Sequence, residues 1–197
     1  MTIFPREEIE QAFHHYFKIG IVDEDWVGWS QCFTEDATYH DHFYGTFHGP
    51  KEIEMFLEGT MSAAPQVYSV YHWHNIDGNR LVYEIANHAD SPVAGEPPIG
   101  FNSLQVVTYA GNGKFSAEED WWVLYDMVRA RNRWLDALAR GGDPDFADRM
   151  SRQHWGDVPE WARAAPDHVA KPSWVGKGGP RINGIRDIDF GIRTPRA

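Results

Sequence analysis

The residues of this chain best equipped to move protons are two aspartates and two pairs of histidines. Asp41 stands between His40 and His42 in YHDHFYG, His72 and His74 flank Trp73 in VYHWHN, and Asp120 follows Glu118 in EEDWW. Along an extended chain successive side chains alternate faces, so His40 and His42 point one way while Tyr39, Asp41 and Phe43 point the other. An aspartate walled by Phe43, Tyr44 and Phe47 has its ionised form disfavoured and becomes a useful general base. By the same alternation His72 and His74 share a face, and either imidazole could give or take a proton near neutral pH. Asp120 shares its parity with Glu118 and either enters a pocket or faces its opening. Asn87 and His88 fall on opposite faces, and Asn87 is taken as the inward donor and acceptor.

The same spacing supports a rival chemistry. Two same-face histidine pairs could converge as a three- or four-histidine metal site. That arrangement needs His40 and His42 to face inward, which sends Asp41 outward. The expected reading keeps Asp41 inward and has no metal and no cofactor. The single cysteine, Cys32 in WSQCF, excludes an intrachain disulfide and a cysteine-rich zinc site, and its apolar setting suits a buried, inert thiol.

Composition bounds the partners. A chain of 197 residues, 42% of them hydrophobic, can bury one sizeable core. A formal net charge of -11 argues against binding nucleic acid or an anionic membrane through the overall field. Aromatic residues make up 14%, with nine tryptophans, which points to an aromatic core or to a pocket for a flat apolar ligand. The opening MTIFPREEIEQ has no run suited to a signal peptide and no segment reaches bilayer length, so a soluble cytoplasmic protein is expected.

The elements that must position these residues follow from periodicity. Pro5 opens a helix in which Ile9, Phe13, Tyr16 and Phe17 recur at three- and four-residue steps, with Gly20 as its stop. DEDWVGWSQCF predicts a short helix, TEDATYHDHFYGTFHG a hairpin, and Pro50 restarts a helix through Met61. Strands follow over QVYSVYHWHNI and RLVYEIANHA around an Asp77-Gly78 turn, then a Pro- and Gly-rich loop, then strands FNSLQVVTYA and KFSAEEDWWVLYD. MVRARNRWLDALARGG predicts a last helix ending at Gly141. Residues 143–197 show no sustained period, yet carry Trp155, Trp161, Trp174 and several isoleucines. They are expected to pack as an irregular extension on the body or on a neighbouring subunit.

The order of elements is that of an α+β fold, a curved, mostly antiparallel sheet wrapped around N-terminal helices to leave a conical pocket, a cystatin-like α+β barrel. DEDWVGWSQCFTEDATYHDHFYGTFHGPKEIEMFLEGTM, DGNRLVYEIANHA and KFSAEEDWWVLYD resemble SnoaL-like proteins of the nuclear-transport-factor-2-like superfamily. The likeness runs over residues 5–140 and implies a SnoaL-like domain spanning 1–142 and an extension spanning 143–197. The superfamily includes ketosteroid isomerases, polyketide cyclases, scytalone dehydratase, limonene-epoxide hydrolase and non-enzymatic members.

The resemblance also implies roles. Asp41 falls where ketosteroid isomerases place their base, Tyr16 where they place a hydrogen-bonding tyrosine, and Asn102 near their oxyanion-stabilising acid. Limonene-epoxide hydrolase would place paired acids near Asn87 and Asp120 and an arginine at Ile85, so two of three positions differ. Scytalone dehydratase would match a strand histidine to His72 or His74 and an aspartate to Asp23. The expectation is a cofactor-independent acid–base enzyme of lyase, isomerase or cyclase type acting on a small hydrophobic, aromatic or polyketide-like substrate. Its catalytic residues would be Asp41, His72, Tyr16 and Asp120, with His74, Asn87, Asn102 and Trp122 binding substrate. A homodimer or higher homo-oligomer is expected. The rival readings are a non-catalytic ligand-binding or interaction module and the histidine-based metal enzyme.

Overall fold

The structure, a computed structural model, describes residues 3–142, 152 and 154–165. Its frame is one six-stranded sheet with helices laid on one face. The strands are β1 (Phe33–Asp41), β2 (Gly45–His48), β3 (Val67–Asp77), β4 (Arg80–Ala89), β5 (Ile99–Gly111) and β6 (Lys114–Trp122). Their spatial order is β2-β1-β6-β5-β4-β3, and every pairing is antiparallel except β1 with β6. That parallel pairing joins the two strands bearing Asp41 and Asp120, which lie far apart in sequence.

The helices are α1 (Arg6–Tyr16), α2 (Trp26–Ser30), α3 (Gly49–Met61) and α4 (Leu124–Ala139). In α1 the apolar stripe buries Ile9, Phe13 and Tyr16 against the sheet, and Glu7 and Glu8 suit the positive end of the helix dipole. Gly20 does not stop this helix. The chain continues as a π-helical turn over Phe17–Val22, and Gly20 sits inside it against the Trp29 ring. Asp25 then caps α2 by accepting from the Gly28 amide at 3.0 Å. Gly49, at φ 68°, lies so close to the Glu35 carbonyl that an added Cβ would be 2.9 Å from its oxygen, which suits glycine at the start of α3. The last helix begins at Leu124, earlier than its sequence pattern indicates, because the chain turns directly out of the extended residue Val123.

The main core gathers Phe13, Tyr16, Phe17, Trp26, Trp29, Phe33, Tyr39, Phe56, Tyr83 and Phe115 between α1–α3 and the inner face of the sheet. A smaller cluster packs Ala130, Trp134 and Ala137 of α4 on Ala89 and Ile99. Trp155, Ala162 and Ala164, beyond the last helix, join the main core, and Trp161 stacks on His14 at 4.1 Å between centroids. The remaining residues of the expected extension, 143–151, 153 and 166–197, lie outside the described residues. Among the described residues, no helix is long and apolar enough to cross a membrane.

Candidate active site

Strand register brings the acids together. Asp41 pairs with Asp120 across the β1–β6 ladder, Asp120 with Gln105 on β5, and Gln105 with Tyr83 on β4, giving one row across the inner face. The next row runs Tyr39, Glu118, Val107 and Leu81, and on the other side lie Trp122, Ser103 and Ile85. Three carboxyl groups thus share one patch of a face that helices otherwise cover with aromatic rings. Each has a different set of hydrogen bonds.

Asp41 is 3% exposed. Its Oδ1 accepts from the Phe43 and Tyr44 amides at 2.7 Å each, closing the turn into β2, and its Oδ2 accepts from the Trp122 indole at 2.8 Å. One lone pair of Oδ2 is left for another group. Glu118, 2% exposed, is held by two phenols, with Tyr16 donating to Oε2 and Tyr83 donating to Oε1 at 3.1 Å. Asp120 takes a hydrogen bond from Tyr39 on Oδ2, while its Oδ1 is buried and has no partner among the described residues. Asp120, Asn87, Phe101 and Trp122 are only partly covered, unlike Glu118, Gln105 and Tyr83, so they mark the accessible side of the patch. Phe43 and Phe101 stand 5.1 and 6.0 Å from the Trp122 ring, forming an aromatic wall beside the acids.

Electrostatics separate these groups. Burial raises the pKa of Asp41, while the Trp122, Tyr44 and Phe43 hydrogen bonds favour its ionised form and hold the rise in check. Burial pushes Glu118 up to about 8 against the pull of its two tyrosine donors. Asp120 is raised well above the usual carboxylate range, first by burial and then by the charges of Glu118 and Asp41, and only the Tyr39 hydrogen bond opposes this. Carboxyls this close cannot all ionise. Burial and like charge both favour the protonated form of Asp120, and with Tyr39 donating to Oδ2 the site for that proton is Oδ1.

The histidines do not join this patch. A β-bulge between Tyr71 and Trp73 breaks the alternation, so His72 and His74 do not share a face. His74 turns inward but packs on Phe13 at 4.9 Å, hydrogen-bonds the Tyr71 hydroxyl at 2.9 Å and lies 3.6 Å from Glu10, at the α1 end of the fold. Its pKa is lowered, mainly by burial. His72 stands 3.8 Å from Glu84 and lines a separate cleft of about 630 Å³ with His88, His154 and Trp155. His40 and His42 occupy the outer face, with His40 on Thr46 and His42 bonded to Glu119 and lying over Trp121. Outward histidines at the end of β1 and a split pair on β3 do not assemble the three- or four-histidine site that spacing allowed.

Of the other sequence-derived candidates, Tyr16, Asp41, Asp120, Asn87 and Trp122 lie on the inner face. Tyr16 is fully buried and serves Glu118. Asn87 accepts from Ser69 at 2.8 Å and donates to Ser103 at 3.0 Å. Asn102 is on the outer face, donating to Glu84 at 2.8 Å, because it has the opposite parity to Ser103 and Gln105. Gln105, Tyr39 and Tyr83 escaped the sequence reading as site residues. The inward parity of Ser103, Gln105 and Val107 in FNSLQVV was the available signal for Gln105.

Comparison with known proteins agrees with this architecture. No curated protein matches the sequence. Among solved structures, an LEH-like epoxide hydrolase of M. tuberculosis is 19% identical with a TM-score of 0.53, covering 68% of this chain and 96% of that one. A putative SnoaL-like polyketide cyclase from Jannaschia sp. CCS1 is 15% identical with a TM-score of 0.51, covering 66% and 96%. A hypothetical protein of ketosteroid isomerase-like fold from Catenulispora acidiphila DSM 44928, in complex with trimethylamine, is 18% identical with a TM-score of 0.50, covering 64% and 92%. At these identities the likeness is one of fold. The SnoaL-like domain family itself matches residues 13–117, more than half the chain, and this protein belongs to that family.

Proposed function

We propose that the chain is a cofactor-independent acid–base enzyme acting on a small hydrophobic substrate held against the aromatic wall of the inner face. Asp41 takes a proton through the free lone pair of Oδ2, and Asp120 gives one from Oδ1 to an oxygen of the substrate. In an elimination, the carbon-bound proton goes to Asp41, the electron pair forms the double bond, and the hydroxyl leaves as water with the Asp120 proton. A proton passing from Asp41 to its cross-strand neighbour Asp120 then resets the site. Isomerisation and cyclisation use the same two transfers through an enol. Epoxide hydrolysis is disfavoured because Asn87 and Ile85 stand where the resemblance implies an acid and an arginine.

The observation that carries this reading is the Asp120 Oδ1 beside Asp41, without a partner among the described residues, in a pair of carboxyls both raised by burial of which Asp41 has three compensating donors and Asp120 one. A panel of neutral aromatic β-hydroxy ketones and enones gives the assay. Asp41→Asn and Asp120→Asn should each lower turnover by roughly 10²-fold or more with unchanged thermal unfolding. Near-native turnover in either variant removes that residue from the mechanism, and binding without turnover by the parent chain favours a non-catalytic binder. We extend the proposal to self-association through the outer face, where Trp73, Leu104 and Trp121 stand partly exposed in one cross-strand row with Glu84.

A further inference from the structure

Glu118 has both oxygens taken by tyrosines, and Asp41 has three donors, yet two neighbouring polar atoms on the same face have none. They are Asp120 Oδ1 and Gln105 Oε1, each buried and without a hydrogen-bond partner among the described residues. Gln105 and Asp120 face each other across the β5–β6 ladder. The Gln105 side chain is not free to seek a partner elsewhere, because its Nε2 is bonded to the Ser103 hydroxyl at 2.7 Å. Asn87 donates to that same hydroxyl, and Ser69 in turn donates to Asn87. A relay across three strands therefore fixes the carboxamide with its far end unsatisfied. Leaving such an atom desolvated and unpaired costs about 1–3 kcal/mol, and the relay is the reason it persists.

The charges around these two atoms select the partner they can take. None of the hydrogen bonds accepted by Asp41, Glu118 or Asp120 comes from a lysine or arginine among the described residues. An anionic group would meet three carboxyls and no cation. A cation would find the Glu118 oxygens and Asp41 Oδ1 already occupied. The two open atoms, a carboxylic acid oxygen and an amide oxygen, match a neutral group that both donates and accepts one hydrogen bond.

We infer that the substrate is uncharged and carries a hydroxyl or enol that bridges Gln105 and Asp120, with its apolar body on Phe43, Phe101 and Trp122. The O–H donates to Gln105 Oε1, and its oxygen accepts from Asp120 Oδ1. Gln105 is then the residue that sets which oxygen receives the Asp120 proton. This rests on the acid–base reading for its consequence in turnover, but the binding claim stands apart and is tested apart.

Equilibrium binding of four matched probes to the full chain at pH 7 reads it directly. They are 2-naphthol, 2-methoxynaphthalene, which lacks the donor, 2-naphthoate and 2-naphthylmethylammonium. The expected result is 2-naphthol binding ~tenfold tighter than each of the others, the worth of one desolvated hydrogen bond. Gln105→Leu should reduce the naphthol-to-methoxynaphthalene ratio to about twofold or less, with Gln105→Met as the second variant should leucine disturb folding. Equal or tighter binding of the anion or the cation, a ratio unchanged in the Gln105 variants, or no binding of any probe overturns the inference. Asp41→Asn, which removes the proton acceptor, should keep the naphthol preference. Turnover lost there with binding intact separates failure of the chemistry from failure of the recognition.

Discussion

At the scale of single residues, two aspartates of one type acquire different chemistry from their donors. Asp41 accepts two backbone amides and an indole N–H, so its charge is partly compensated despite burial. Among the described residues Asp120 receives only the Tyr39 hydroxyl, and it lies beside two other carboxyls, so its charge is opposed from both sides. Trp122 walls the substrate with its ring and also acts through Asp41, to which its indole donates. Its indole stabilises the ionised form, so Trp122→Phe should raise the Asp41 pKa further. A base works only above its pKa, so the acid limb of kcat/KM should move to higher pH, by roughly one unit for a lost hydrogen bond to a charged group. A pH–rate profile checks this. A uniform fall in activity with no shift of the limb would leave Trp122 its place in the aromatic wall and no hold on the Asp41 charge.

At the scale of elements, two local irregularities decide what reaches the site. The β3 bulge sends His72 to the cleft beside Glu84 and His74 to the α1 end, leaving the central rows to the carboxyls and the tyrosines that donate to them. The π-helical turn after α1 brings the chain tightly over α2, with Gly20 against Trp29. A Cβ at Gly20 would stand 2.0 Å from Trp29 Cδ1, a clash that a buried indole, itself packed on Tyr16 and Phe33, has little room to relieve. Gly20→Ala should therefore lose about 1–3 kcal/mol in urea unfolding, the usual cost of overpacking. An unchanged midpoint would show that the turn can shift without cost.

At the scale of the whole molecule, the C-terminal segment is tied to the N-terminal helices by a buried ion pair. Arg152 Nη2 lies 2.5 Å from Glu24 Oε1, with the two side chains 1% and 2% exposed. Burial raises Glu24 to about 7 even though Arg152 pulls it down. Arg152→Met would leave that carboxylate buried without its cation, at a cost of about 3–5 kcal/mol at pH 8. A raised carboxylate pKa means that the folded state holds a proton which the unfolded chain has released. The charge penalty is therefore absent below the ordinary carboxylate range, grows as pH rises above it, and is complete only above the folded pKa, which loss of Arg152 moves higher than about 7. The loss measured by denaturation should shrink at pH 5. An equal loss at both pH values would assign the effect to packing rather than charge.

Much of this protein was legible before any coordinates. Helix and strand periodicity located four helices and six strands, the turn residues marked the hairpins, and alternation set Asp41 on the face opposite His40 and His42, while the choice of Asp41 as the inward one came from the family resemblance. Those patterns are local, set by which side chains a 3.6- or 2-residue repeat must bury. The parallel meeting of β1 with β6, which sets Asp41 opposite Asp120, joins segments about 80 residues apart, and no local period encodes it. The bulge that parted His72 from His74 inserts one unpaired residue without leaving a signature in YHWHN. The kinds of side chain available for chemistry were written in the chain. Which of them share a desolvated patch, and which keep their protons, depended on long-range strand pairing and burial, because a carboxyl's pKa answers to its neighbours in space.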